Sequence, residues 1–90
     1  MKYDKWFTYI LICNDDTFYC GITNNIPHRL LAHSKGTGAK YTRGRLPVYL
    51  AAYWEFDTKS LAAKEEYRIK QLTRKEKRDM IKTTSNFIIN

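Results

Sequence analysis

Two cysteines, two prolines and four glycines in 90 residues exclude several common solutions at once. Cys13 and Cys20 show no Cys-x-x-Cys spacing and are too few for a disulfide framework. With His28 and His33 they form no zinc pattern, so reduced, partly buried thiols are expected. No apolar run approaches the roughly 20 residues of a membrane-spanning helix. The N-terminal MKYDKWFTY is too polar for a signal peptide, which makes the cytoplasm the expected compartment. Repeats, low-complexity tracts and linkers are absent as well. The expected organisation is one domain over residues 1–90, with a core at about 7–82 and a tail, 83–90, that either packs its Phe-Ile-Ile triplet or frays.

Negative charge is also scarce. Nine Asp and Glu stand against sixteen Lys and Arg, a net charge of +7. On so small a chain that balance favours a polyanionic partner, nucleic acid first. A membrane surface fits less well, because no basic amphipathic stretch carries a long apolar face.

What is present has a clear order. FTYILIC at 7–13 is β-branched and aromatic, and Asn14-Asp15-Asp16 is turn chemistry before a second strand at 17–23, so the two form an antiparallel hairpin. Asn25 reads as a helix N-cap with Pro27 in the first turn, and the helix should end near Ser34 or Lys35, before Gly36. Residues 35–47 are rich in glycine and basic residues, giving a loop or one helical turn. VYLAAYWEF at 48–56 is a third strand. Asp57 or Thr58 caps a helix from Lys59 to about Leu72, and Thr73 with Glu76 forms a capping box for a last helix to about Lys82. The order ββαβαα predicts an α+β fold, a small three-stranded antiparallel sheet flanked by helices.

Several residues could carry chemistry. In TFYCGIT, 17–23, Phe18, Cys20 and Ile22 form an apolar set suited to the core. Tyr19 and Gly21 fall on the other face, and a glycine inside a strand often marks close approach by a ligand or a backbone. The hairpin brings Tyr9 beside that strand. Most tyrosines on a sheet are half-buried packing residues, and Gly21 is what singles out Tyr19. Arg29 and His33 lie four apart on one helical face, a phosphate clamp and a group that exchanges protons near neutrality. A solvated helix face is the competing reading, and it suffices for His28. On the helix from Lys59, Leu61, Ala62, Ala63, Ile69 and Leu72 share a side with both Glu65 and Glu66. An inward carboxylate must pair, hydrogen-bond or bind a metal such as Mg²⁺ or Mn²⁺. Periodicity does not choose between the two, and a salt bridge to a neighbouring helix would serve either. Lys35, Lys40, Arg43 and Arg45, with Tyr41 among them, make a phosphate-binding surface or a merely solvated loop.

Taken together, this constellation resembles the GIY-YIG nuclease family. Phe7-Thr8-Tyr9 stands at the place of the first triplet and Tyr19-Cys20-Gly21 at that of the second. Arg29 and His33 follow at the family's intervals, and Glu66 in EEYRIKQLTR matches the glutamate of its third motif. The stretch GAKYTRGRLPVYL looks most like the small stand-alone bacterial members, and the resemblance runs from residue 7 to about 80. Phe7, Thr8 and Cys20 depart from the triplets, Phe7 and Cys20 as harmless core substitutions. A late asparagine of larger relatives has no counterpart that Asn86 or Asn90 clearly supplies, and the usual second DNA-binding domain is missing.

The resemblance implies a metal-dependent endonuclease acting on nucleic acid, DNA before RNA, in structure- or repair-related processing. It implies Tyr9, Tyr19, Arg29, His33 and Glu66 as catalytic residues. Glu66 would hold Mg²⁺ or Mn²⁺, either tyrosine would act on the attacking water, and Arg29 would stabilise phosphoryl charge. His33 would orient a tyrosine or relay its proton, and Gly21 would leave clearance for the sugar–phosphate backbone. Lys70 would join the cations of the 35–45 loop in binding nucleic acid. The alternative is a catalytically silent nucleic-acid-binding module of the same fold that needs a protein partner for activity or specificity.

Overall fold

A computed structural model describes residues 4–84. Strand β1, Trp6–Ile12, pairs with β2, Phe18–Thr23, and on its other side with β3, Tyr49–Phe56. The sheet is antiparallel throughout with order β2-β1-β3, so β2 is an edge. The hairpin turn forms as its residues dictate. Asp16 adopts φ 65°, and the Asp15 carboxylate accepts from the Thr17 amide and hydroxyl.

Helix α1, Ile26–Ser34, starts where Asn25 accepts the His28 amide, and the chain leaves it through Gly36 at φ 78°. The loop that follows contains one helical turn, α2, Lys40–Arg43. Helix α3, Lys59–Lys70, is capped by Thr58, and α4, Arg74–Thr83, carries the predicted Thr73–Glu76 capping box in full. The architecture is the expected α+β arrangement, with α2 as the helical turn allowed for in the loop. The Phe-Ile-Ile triplet of the tail lies outside the described residues. Among the described residues, no helix is long and apolar enough to cross a membrane.

Alternation along the strands separates two faces. Thr8 and Ile10 of β1 point with Cys20 of β2 toward α3 and α4, where Ile10, Cys20, Ala52, Ile69 and Ile81 form the buried cluster. Each fully buried isoleucine there contributes roughly 1.5–3 kcal/mol of transfer free energy. Thr8 stands where the family triplet has isoleucine, and its hydroxyl donates to the Ala62 carbonyl at 2.7 Å, pinning α3 to the central strand. Phe18 packs against the cluster as expected, whereas Ile22 is only half-buried and stands outside it. Leu61, assigned to the inward side of α3, is exposed, because Ala62 and Ile69 set the buried line about 100° around the helix from it. The opposite face of the sheet carries Phe7, Tyr9, Tyr19, Gly21 and Tyr53, and α1 closes over its centre.

Candidate active site

Tyr9 sits at the centre of that second face, 1% exposed, opposite Gly21 on one side and Tyr53 on the other. Its phenol oxygen lies 3.0 Å from His33 Nε2 and 3.4 Å from Arg29 Nε. His33 is fully buried, and its Nδ1 lies 2.8 Å from the Thr42 hydroxyl. That hydroxyl has a second neighbour, the Ala39 carbonyl at 3.0 Å. A carbonyl can only accept, so it takes the one Thr42 proton. Nδ1–H therefore donates to Thr42, the bare Nε2 accepts the Tyr9 proton, and the Tyr9 oxygen accepts from Arg29. One chain of bonds thus runs Arg29, Tyr9, His33, Thr42, Ala39, with every direction determined.

The electrostatics agree with a neutral imidazole. Burial, and after it the Arg29 charge, pushes the His33 pKa below its ordinary value. Burial pushes the Tyr9 phenol up to about 12, against the opposing Arg29 hydrogen bond. Tyr9 therefore keeps its proton at neutral pH. A consequence is testable in folding. The unfolded chain takes up a proton at His33 below about pH 6.5, whereas the native chain resists it down to the lowered value. Stability contributed by neutral His33 is complete above about 6.5 and is lost as pH falls through that window. Urea midpoints should fall between pH 7.5 and 5, and His33→Gln should flatten that dependence. A variant with the parent's pH slope would rule out His33 as its source.

Two glycines shape this chain. A Cβ on Gly21 would lie 2.7 Å from the Tyr9 hydroxyl and 3.1 Å from the Tyr19 ring. The space over Gly21 is thus occupied by Tyr9, which corrects the expectation that it is clearance for a sugar–phosphate backbone. A Cβ on Gly38 would meet His33 Nδ1 at 2.5 Å and its Cα at 3.0 Å, so the loop after α1 reaches the imidazole only as glycine. Sequence reasoning missed Gly38 and Thr42. Neither carries a local signal, since each acts on a residue brought close by the return of the loop.

Tyr19 is the half-buried neighbour of this cluster. Its ring stands edge-on to His33 at 5.4 Å and stacks on Tyr41 at 5.9 Å, with an interplanar angle of 28°. The Arg45 guanidinium lies 4.0 Å from the centre of the Tyr41 ring. Arg45 also donates to Asp15 Oδ2 at 2.9 Å and to the Tyr41 carbonyl at 2.8 Å. It bolts the α2 loop to the hairpin turn, so two of its N–H groups are already engaged within the protein. Lys35, Lys40 and Arg43 are exposed on the same loop.

Glu66 stands on the other side of the sheet edge. Its carboxylate pairs with Lys70 at 3.2 Å and is 24% exposed. Glu65 is held by two guanidinium nitrogens of Arg68, Nε and Nη2, at 2.9 and 2.7 Å. Both acids therefore pair within α3, rather than with a neighbouring helix. Glu66 lies near Cys20, whose thiol is pushed up to about 12, first by burial and then by that carboxylate. Around the exposed edge of β2, a hollow of about 260 Å³ joins Tyr19 and Tyr41 to Cys20, Lys70 and Lys77. The structure thus gathers Tyr9, Tyr19, Arg29 and His33 on one face, with Glu66 and Lys70 across the β2 edge. A larger hollow of about 650 Å³ between Phe7, Tyr53 and Pro27 is mostly apolar and lies apart from this chemistry.

The donor set bears on metal binding. Among the described residues, no three His, Cys, Asp or Glu converge. A lone carboxylate suits Mg²⁺ or Mn²⁺, which retain waters and share substrate phosphate oxygens, and the half-buried Glu66 offers one.

Comparison with known proteins gives the same frame. The GIY-YIG catalytic domain family matches residues 5–79. A UPF0213 protein of Bacillus velezensis is 49% identical over 81 residues, covering 90% of this chain and 82% of its own. Another from Oceanobacillus iheyensis is 51% identical, covering 87% and 91%. The solution structure of the UPF0213 protein BH0048 from Bacillus halodurans superposes with TM-score 0.57 at 41% identity, over 87% of this chain and 83% of that one. That of the protein EF2693 from E. faecalis does so with TM-score 0.61 at 43% identity, over 88% and 84%.

Proposed function

The chain belongs to the GIY-YIG family, among relatives named UPF0213, and on that premise we propose that it is a divalent-metal-dependent endonuclease. Its substrate is nucleic acid, DNA before RNA, with structure- or repair-related cleavage as the setting. The observation that carries this reading is the chain of bonds through Arg29, Tyr9 and His33, ending beside the accessible Tyr19 at the β2 edge. A structural core has no need of a cation, a phenol and an imidazole in one line.

In this reading water attacks phosphorus, a new P–O bond forms, the bond to the 3′ oxygen breaks, and the proton released by the water is returned through solvent to the departing 3′ oxygen. Tyr19 accepts a hydrogen bond from that water and orients it. Arg29, fixed by Tyr9, presents its remaining N–H groups to the phosphoryl oxygens, where charge develops. His33 holds the Tyr9 proton away from Arg29, so the phenol oxygen stays an acceptor. Glu66 would hold the metal ion, and Mg²⁺ or Mn²⁺ there supplies Lewis-acid polarisation of a phosphate oxygen. Two buried, unpaired thiols fit a reducing cytoplasm.

The test is direct. Labelled single-stranded, duplex and branched DNA, and RNA, are incubated with Mg²⁺, Mn²⁺ or chelator. Products that appear with metal and vanish with chelator are expected. One observation favours the alternative, a silent binding module: the Glu66 carboxylate is already ion-paired with Lys70. Binding without cleavage under every metal would select that alternative, and a partner that restores cleavage would identify what the module lacks.

A further inference from the structure

A second hollow lies at the far end of β2. It measures about 460 Å³ and is lined by Trp6, Thr23, His28, Arg29 and Lys59 among others. The hollow at the near end is lined by Tyr19, Tyr41, Lys70 and Lys77. Neither lining includes an Asp or Glu, yet together they contain four permanent cations. Both open along one element, the edge of β2, which among the described residues pairs with β1 alone. Arg29 joins the far hollow to the Tyr9 cluster, and Tyr19 joins the near one.

Each end also offers an aromatic ring. Tyr41 is 39% exposed and stacks on Tyr19 at the near end. Trp6 lies at the far end, with the Lys59 ammonium 5.2 Å above its ring. Six strand residues span roughly 20 Å, the scale of the smallest single-strand sites, about four nucleotides. Paired cations for the backbone and rings for the bases are the ingredients of single-strand binding. A duplex would keep its bases stacked inside and leave both rings unused.

We propose that one unpaired strand lies along the β2 edge, its phosphates held by Lys70 and Lys77 at one end and by Arg29 and Lys59 at the other. Its bases lie against the exposed edge of Tyr41 and against Trp6, and the phosphate at the near end faces Tyr19. This deepens the nuclease reading and rests on it for the strand's identity as nucleic acid. It adds Trp6, Lys59 and Lys77 to the binding surface and makes single-stranded segments the preferred substrate.

The experiment measures binding in the presence of chelator, so that cleavage does not enter. Anisotropy of a labelled oligothymidylate and of a blunt duplex of equal length is followed across salt concentrations. The parent should bind the single strand at least tenfold more tightly. Lys59→Gln with Lys77→Gln keeps the aliphatic stems and should lower the salt slope by about 1.4, since each single-strand phosphate contact contributes about 0.7. Lys75 lies two residues from Lys77, on the other side of α4, and Lys75→Ala should leave the slope unchanged. Parental slope in the double variant, or tighter binding to the duplex, overturns the track. A chain that binds in this way but never cuts with metal overturns the endonuclease reading instead.

Discussion

Glu66→Ala is expected to reduce metal-dependent cleavage at least about a thousandfold, while folding and nucleic-acid affinity in chelator stay near those of the parent. A Lewis acid at phosphorus contributes several kcal/mol, and each 1.36 kcal/mol is a factor of about ten in rate. The fold should survive, because Glu66 is not part of the buried cluster. Its bond to Lys70 spans one helical turn at the surface, an interaction of about 0.3–0.5 kcal/mol. Glu65→Ala is the matched control. It breaks a two-point contact with Arg68, costs a comparable small amount of stability, and should leave the cleavage rate within about twofold. Single-turnover rates at saturating Mg²⁺ separate the two. Should Glu66→Ala cut at the parental rate, or Glu65→Ala prove the inactive one, the assignment of the metal to Glu66 falls.

The need for that control shows where sequence stops. On α3 both glutamates fall on the inward side by periodicity, and both turn out half-buried and paired within their own helix. What tells them apart is the stronger effect of Glu66 on the Cys20 thiol, and that depends on the docking of α3 on β2. Features set by neighbours in the chain were legible. The Asn25, Thr58 and Thr73 caps, the Asp15 turn and the Gly36 exit form as local chemistry requires. The hairpin likewise brings Tyr9 near Tyr19, and one helical turn brings Arg29 near His33. What the sequence concealed depends on contacts between distant segments. Gly21 is small because Tyr9 lies over it, and Gly38 because His33 does. Arg45 resembles its basic neighbours until Asp15, thirty residues earlier, claims it. Thr42, a small hydroxyl amid lysine and arginine, gains meaning only as the acceptor that orients an imidazole.

The two tyrosines should part company under the same conservative change. Tyr19→Phe is expected to lower the cleavage rate by a factor of about a hundred or more, the range for a group that positions or moves a proton. Its stability should stay close to the parent's, since the phenyl ring still stacks on Tyr41. Tyr9→Phe should act chiefly on folding. It strips the buried His33 Nε2 of its donor and Arg29 Nε of its acceptor, at a cost of about 1–3 kcal/mol. Urea unfolding measures that loss, and cleavage assayed well below the midpoint measures what remains of activity. The reason for the split is access. Tyr9 is 1% exposed with its pKa pushed up to about 12, so it neither meets the attacking water nor yields its proton near neutrality. Tyr19 borders the open hollow at the strand edge, where a phosphate and a water can both reach it. The opposite pattern, with Tyr9→Phe stable but inactive and Tyr19→Phe fully active, would move the water to Tyr9. It would also require α1 to lift from the sheet before each turnover, because Arg29 and His33 otherwise close over that hydroxyl.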